Sequence, residues 1–189
     1  MRKSAVVLFV TLLVGCFALP AASATVKLRS ELLTLSQLPK GWLSSSPSST
    51  AVFGCNASVL PANPTVQASA GFNFGALKGF PLLTEVLASY KNVDAAFNAL
   101  TSGLSGCTHI SGTRDGNPVS GTLSKMSFGT YGDQSAAYHV SVNLQGSSLV
   151  ADILVVRKGN VLLELEEGNS GSISASGFES FSKSAVKRL

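Results

Sequence analysis

Charged side chains are scarce in this chain. They make up 13% of its 189 residues, with 14 basic and 10 acidic residues and a formal charge of +4. That is about half the usual share, so Ser, Thr, Asn and Gly must cover much of the surface. No basic run interleaved with aromatics occurs, and a charge this mild argues against a nucleic-acid partner. There is no Cys-x-x-Cys pair, and histidine occurs twice, so no metal-ligand or redox spacing is expected and no metal or cofactor is called for. Tryptophan occurs once, at Trp42, where an anchor for the N-terminal part of the chain is the simplest role. No serine completes Gly-x-Ser-x-Gly; Gly168-Asn169-Ser170-Gly171-Ser172 lacks the final glycine. A non-enzymatic protein is expected, with a hydrolase a distant alternative.

Long apolar runs are also missing, apart from one at the start. Arg2 and Lys3 precede an apolar stretch from Ala5 to Val14, too short to span a bilayer comfortably, followed by small residues and Pro20. This reads as an export signal. Leu13-Val14-Gly15-Cys16 resembles a lipobox, in which Cys16 would be acylated and hold the protein at a membrane. Ala22-Ser23-Ala24 fits ordinary signal peptidase. Phe17, Ala18 and Leu19 continue the apolar run where a polar tether would be expected, so cleavage after Ala24 is favoured. Removing residues 1–24 from 189 leaves 165, enough for one domain with its own core, and takes the charge from +4 to +2 with the loss of Arg2 and Lys3. Under either cleavage Cys16 is consumed. Cys55 and Cys107 then remain, and in an exported chain one disulfide is the simplest use of them.

Residues 25–66 carry a Ser/Pro-rich stretch and read as mostly irregular; residues 67–189 carry the periodic elements. A strand is expected over Ala70–Leu77. Leu82–Tyr90 fits either strand or helix. Asn92 caps a helix whose Val93, Ala96, Phe97, Leu100 and Leu104 share one face, and Gly106 ends it. Strands follow at Val119–Phe128, Ser135–Leu144, Leu149–Arg157 and Val161–Glu166, the last three forming an antiparallel meander. Ser176 and Glu179 have capping-box spacing before a final helix that aligns Phe178, Phe181, Ala185 and Leu189. The fold class is α+β: an antiparallel sheet flanked by helices.

These pieces resemble a known family. "LTLSQLPKGW", "NVDAAFNALTSGLSGC", "ADILVVRKGNVLLELEE" and "FESFSKSAVKRL" occur in the order found in actinobacterial exported sensor-type domains, typified by the extracellular part of PknH-like receptor kinases. The hairpin "VVRKGNVLLELE" is also similar to PsbP/Mog1-like lipoproteins. The resemblance implies a sheet with flanking helices, a cleft, and binding without catalysis.

Turns at Gly146-Ser147 and Lys158-Gly159 would pair Leu144 with Leu149 and Arg157 with Asn160. His139, Ser141, Asn143 and Asp152 then share a face with Leu154 and Leu163, and Asp152 opposes Ser141. Two amphipathic helices cannot cover this sheet completely, and the N-terminal stretch has few apolar residues. A gap on that face is therefore expected, in which the polar cluster would orient one end of a mostly apolar ligand. Glu164 and Glu166 are expected on the solvated face of their strand. The sequence thus points to an exported cell-envelope domain that binds a small molecule, lipid or wall component. A protein-interaction or structural module is the alternative.

Overall fold

The computed structural model describes residues 20–47, 61, 63–75, 80–114, 117–144 and 146–189. Cys16, Cys55 and the hydrophobic stretch before Pro20 lie outside the described residues, as does the Cys55 half of the expected disulfide.

Eight strands form one antiparallel sheet. In chain order they are β1 (Trp42–Ser45), β2 (Val66–Phe74), β3 (Leu82–Ser89), β4 (His109–Arg114), β5 (Asn117–Met126), β6 (Gln134–Leu144), β7 (Ser147–Lys158) and β8 (Val161–Asn169). In space the order is β1-β2-β3-β8-β7-β6-β5-β4. Helix α1 (Pro20–Glu31) and helix α3 (Ala175–Arg188) pack on one face, and helix α2 (Val93–Gly106) packs on the other. The expected α+β class and the antiparallel meander are therefore present.

Each face has its own core. Leu83 and Leu87 of β3, Leu154 and Val156 of β7 and Leu163 and Leu165 of β8 meet Phe178, Phe181 and Ala185 of α3. On the opposite face Tyr138, Val140, Ile153, Val155 and Leu162 meet Ala96, Phe97, Leu100 and Leu104 of α2. β7 and β8 are central and covered on both sides, which is why β7 is almost wholly apolar from Leu149 to Val156. Helix α2 begins as its sequence requires, with the Asn92 side chain accepting from the Ala95 amide at 3.0 Å. Asn92→Ala should lower stability by about 1 kcal/mol in a urea titration, because it removes that acceptor while leaving the buried face intact.

The stretch 25–66, expected to be mostly irregular, holds the end of α1, a 3-10 turn at Leu35–Gln37 and strand β1. It also contributes more to the core than its composition suggests. Leu28, Leu32, Leu33 and Leu38 are buried against β2, β3 and α3. Trp42 stands edge-on to Phe181 at 5.4 Å and to Phe74 at 5.9 Å, the anchoring role expected of it. The Arg188 guanidinium closes this layer: its Nε donates to the Glu31 carbonyl at 3.1 Å and a terminal nitrogen donates to the Ser30 carbonyl. These are the open carbonyls of the last turn of α1, where a cation is favoured.

Of the two alternatives open for Leu82–Tyr90, strand is found, over Leu82–Ser89 as β3. Three local expectations change. β4, a short edge strand rich in small polar residues, was not expected. The cap of α3 is Ser174, whose Oγ accepts from the Gly177 amide at 3.3 Å, so Ser176 lies inside the helix. Both hairpins turn two residues away from the expected register. Leu144 pairs with Ser147 and Lys158 with Val161. Gly146 (φ 80°) and Gly159 (φ 58°) supply the left-handed turn conformations. A shift of two residues keeps every side chain on its expected face, because the strand period is two.

Candidate functional site

The hairpin β6–β7 brings His139 directly opposite Asp152. His139 Nδ1 and Asp152 Oδ1 are 2.6 Å apart. The aspartate is buried, at 4% exposure, while the histidine is half-exposed. A carboxylate only accepts hydrogen bonds, so Nδ1 carries the hydrogen, and in the neutral ring Nε2 is an acceptor. The same row of the sheet extends on both sides: Glu167 of β8 is the partner of Asp152, and Ser124 of β5 is the partner of His139. Burial pushes the Glu167 carboxyl up to about 7, and the neighbouring Asp152 charge adds to the shift.

The other expected site residues are only partly gathered here. Ser141 lies next along the same face of β6, opposite Val150 and not Asp152. Asn143 serves the turn, its Oδ1 accepting from the Gly146 amide at 3.0 Å. Leu154 and Leu163 share the face but are fully buried under α1 and α3. The expected gap beside these two leucines is filled by Leu28, Leu32, Leu33 and Leu38. Of the polar half, His139, Ser141 and Asn143 are accessible and Asp152 is buried; the apolar half is core.

The acidic residues of β8 also depart from expectation. Glu164 and Glu166 lie beneath the α2 face at 3% and 6% exposure. Burial holds the Glu164 carboxyl well above its ordinary value, and the adjacent Glu166 contributes. On the opposite face Glu85 is fully buried. One of its oxygens accepts from the Leu33 amide at 2.6 Å, and burial raises its carboxyl to about 7. Glu164 and Glu166 read as exposed in the sequence because charged residues alternating along a strand usually mark a solvated face. Their burial follows from the placement of β8 between β3 and β7, which is set by strand pairing distant in sequence. Among the described residues no group of three or more His, Cys, Asp or Glu side chains is placed to hold a metal ion.

A half-open hollow of about 220 Å³ lies at the β5–β6 connection, lined by residues including Lys125, Ser127, Phe128, Thr130 and Ser135. It contains none of the cluster residues. Among the described residues no helix is long and apolar enough to cross a membrane.

Chemically, the row Asp152–His139–Ser124 has the order of a nucleophilic triad but sits on flat sheet. A hydrolytic serine needs backbone donors for the oxyanion, and the amides of central strands are spent on the ladder. The arrangement suits hydrogen bonding of a ligand from one side of a strand surface.

The antiparallel eight-stranded sheet with two helices on one face and one on the other is similar in fold to a solved extracellular domain. The crystal structure of the extracellular domain of PknH from Mycobacterium tuberculosis superposes with a TM-score of 0.61 at 9% identity, over 84% of this chain and 92% of that one. CalU16 from Micromonospora echinospora also matches, with a TM-score of 0.32 at 16% identity over 65% of this chain and 83% of that one. No protein-family model matches the sequence, and no curated protein does. The PknH likeness is one of fold.

Proposed function

We propose that this protein is an exported, non-enzymatic domain of the cell envelope that binds a small molecule, lipid or wall component on the face carrying His139, Ser141 and Asp152. The observation that supports the reading best is the shared fold with an extracellular domain, over most of both chains. An export signal at the N-terminus, cleaved after Ala24 or acylated at Cys16, agrees with it, and a Cys55–Cys107 disulfide is expected of the same compartment. Non-reducing peptide mapping of envelope-purified protein should recover the Cys55 and Cys107 peptides joined; free thiols at both positions would remove this support.

Asp152 is the residue to test. Purified mature protein would be incubated with total envelope lipid and, separately, with a low-molecular-weight envelope extract. Material retained through gel filtration would be identified by mass spectrometry. Asp152→Asn should reduce the retained material at least tenfold while shifting the melting temperature by no more than a few degrees. A sharp fall in melting temperature with retention unchanged would make the cluster structural. The alternative, a protein-interaction module, draws support from Phe74 and Phe80, which are exposed at the same end of the β2–β3 pair.

A further inference from the structure

We infer that the accessible face of β4, β5 and β6 is a binding surface for an uncharged, hydroxyl-rich ligand, a neutral saccharide chain, with His139 as its fixed acceptor. The inference rests on the binding reading above and narrows its ligand class. Neighbouring strands place Ser111, Ser120, Thr122 and Ser124 on the side of the sheet that carries Ser141 and His139. Ser111, Ser120, Thr122 and Ser124 are exposed, and Ser141 and His139 are half-buried. Helices α1 and α3 cover this side only over the other half of the sheet, around β2, β3, β7 and β8.

Charge decides between partners. None of the residues that β4, β5 and β6 turn to this side is Lys, Arg, Asp or Glu. A phosphate headgroup, an acidic polymer or a nucleic acid would meet no Lys or Arg there, only the imidazoles of His109 and His139, and a basic peptide would meet no free carboxylate: the nearest, Asp152, is buried and engaged with His139. A lipid tail would meet hydroxyls in place of an apolar wall. What the surface offers is a regular array of groups that both donate and accept, with strands about 4.8 Å apart and successive same-face positions about 7 Å apart. A sugar presents the same chemistry in return. The Asp152 carboxylate accepts the hydrogen bond from Nδ1, so the neutral ring of His139 offers Nε2 as an acceptor of fixed orientation amid rotating hydroxyls. A buried carboxylate devoted to aiming a half-exposed ring is more than a merely solvated surface requires.

The experiment uses the isotope-labelled mature protein and three soluble neutral glycans, a linear glucan, an arabinan and a galactan, followed by amide chemical shifts at neutral pH. At least one should move the amides of Ser111, Thr122, Ser124 and His139 in a saturable manner. The double substitution Thr122→Val, Ser124→Val should weaken that glycan at least tenfold, with the melting temperature unchanged, because both positions are exposed. Shifts confined to another surface, or equal affinity in the double variant, would overturn the inference. If envelope lipid or a charged small molecule moves these amides and no glycan does, the saccharide assignment falls and the binding reading stands. If no probe of any class moves them, both fall.

Discussion

Replacing Phe178 by alanine is expected to lower the unfolding free energy by about 3–5 kcal/mol, the largest effect of any single truncation considered for this protein. Phe178 is fully buried where α3 meets the sheet, and its ring lies 5.4 Å from that of Phe128. Its loss removes apolar area from the core and leaves a cavity that β7 and β8, held by ladders on both sides, cannot close. A urea titration would show the midpoint falling with an unchanged slope. Phe74→Ala is the control. That ring is 46% exposed, so the cost should stay near 1 kcal/mol. A Phe178→Ala cost no greater than that of the control would mean that α3 is not a structural cover of this face.

The second large effect is on pH. Glu85, Glu164 and Glu167 all hold their protons to a higher pH when folded than their ordinary value of 4.5, chiefly because burial disfavours the charged form. Between about 4.5 and 7, the window set by Glu85 and Glu167, the folded chain binds more protons than the unfolded chain. Stability is therefore greatest on the acid side and falls as pH rises through that window. For Glu85 the difference is on the order of 3 kcal/mol. The melting temperature should be higher at pH 5 than at pH 8. Glu85→Gln should flatten the profile, since glutamine keeps an acceptor for the Leu33 amide without a charge. A melting temperature that rises from pH 5 to pH 8 would contradict the placement of these carboxyls.

What the sequence revealed depended on how local the cause was. Helix α2 was legible because Asn92, its apolar stripe and Gly106 act within one stretch of chain. β6 was legible because Ala136, Tyr138, Val140 and Val142 alternate cleanly, and the faces of the meander survived a mistaken turn because the error was even. α1 was not legible: its small residues carry the cleavage pattern and only a weak apolar stripe, and what holds it is Leu28 against the sheet and Arg188 from the far end of the chain. β4 lacks strand-forming residues other than Ile110 and Thr113 and exists through pairing with β5. The pairing of His139 with Asp152 was legible as a shared face but not as a contact, since two residues of register decide it. Burial of Glu85, Glu164 and Glu167 required knowing that β3 lies beside β8, a pairing across the whole α2–β7 segment.

We propose that an exported domain binds its ligand on the face bearing His139 and Asp152. The most direct measurement is amide chemical-shift mapping of the labelled mature protein against an envelope extract divided into lipid, low-molecular-weight and polysaccharide pools. One pool should shift the amides of Ser124, His139 and Ser141 together, and Asp152→Asn should abolish the response. Shifts confined to the end of the sheet bearing Phe74 and Phe80, or no shift with any pool, would contradict it.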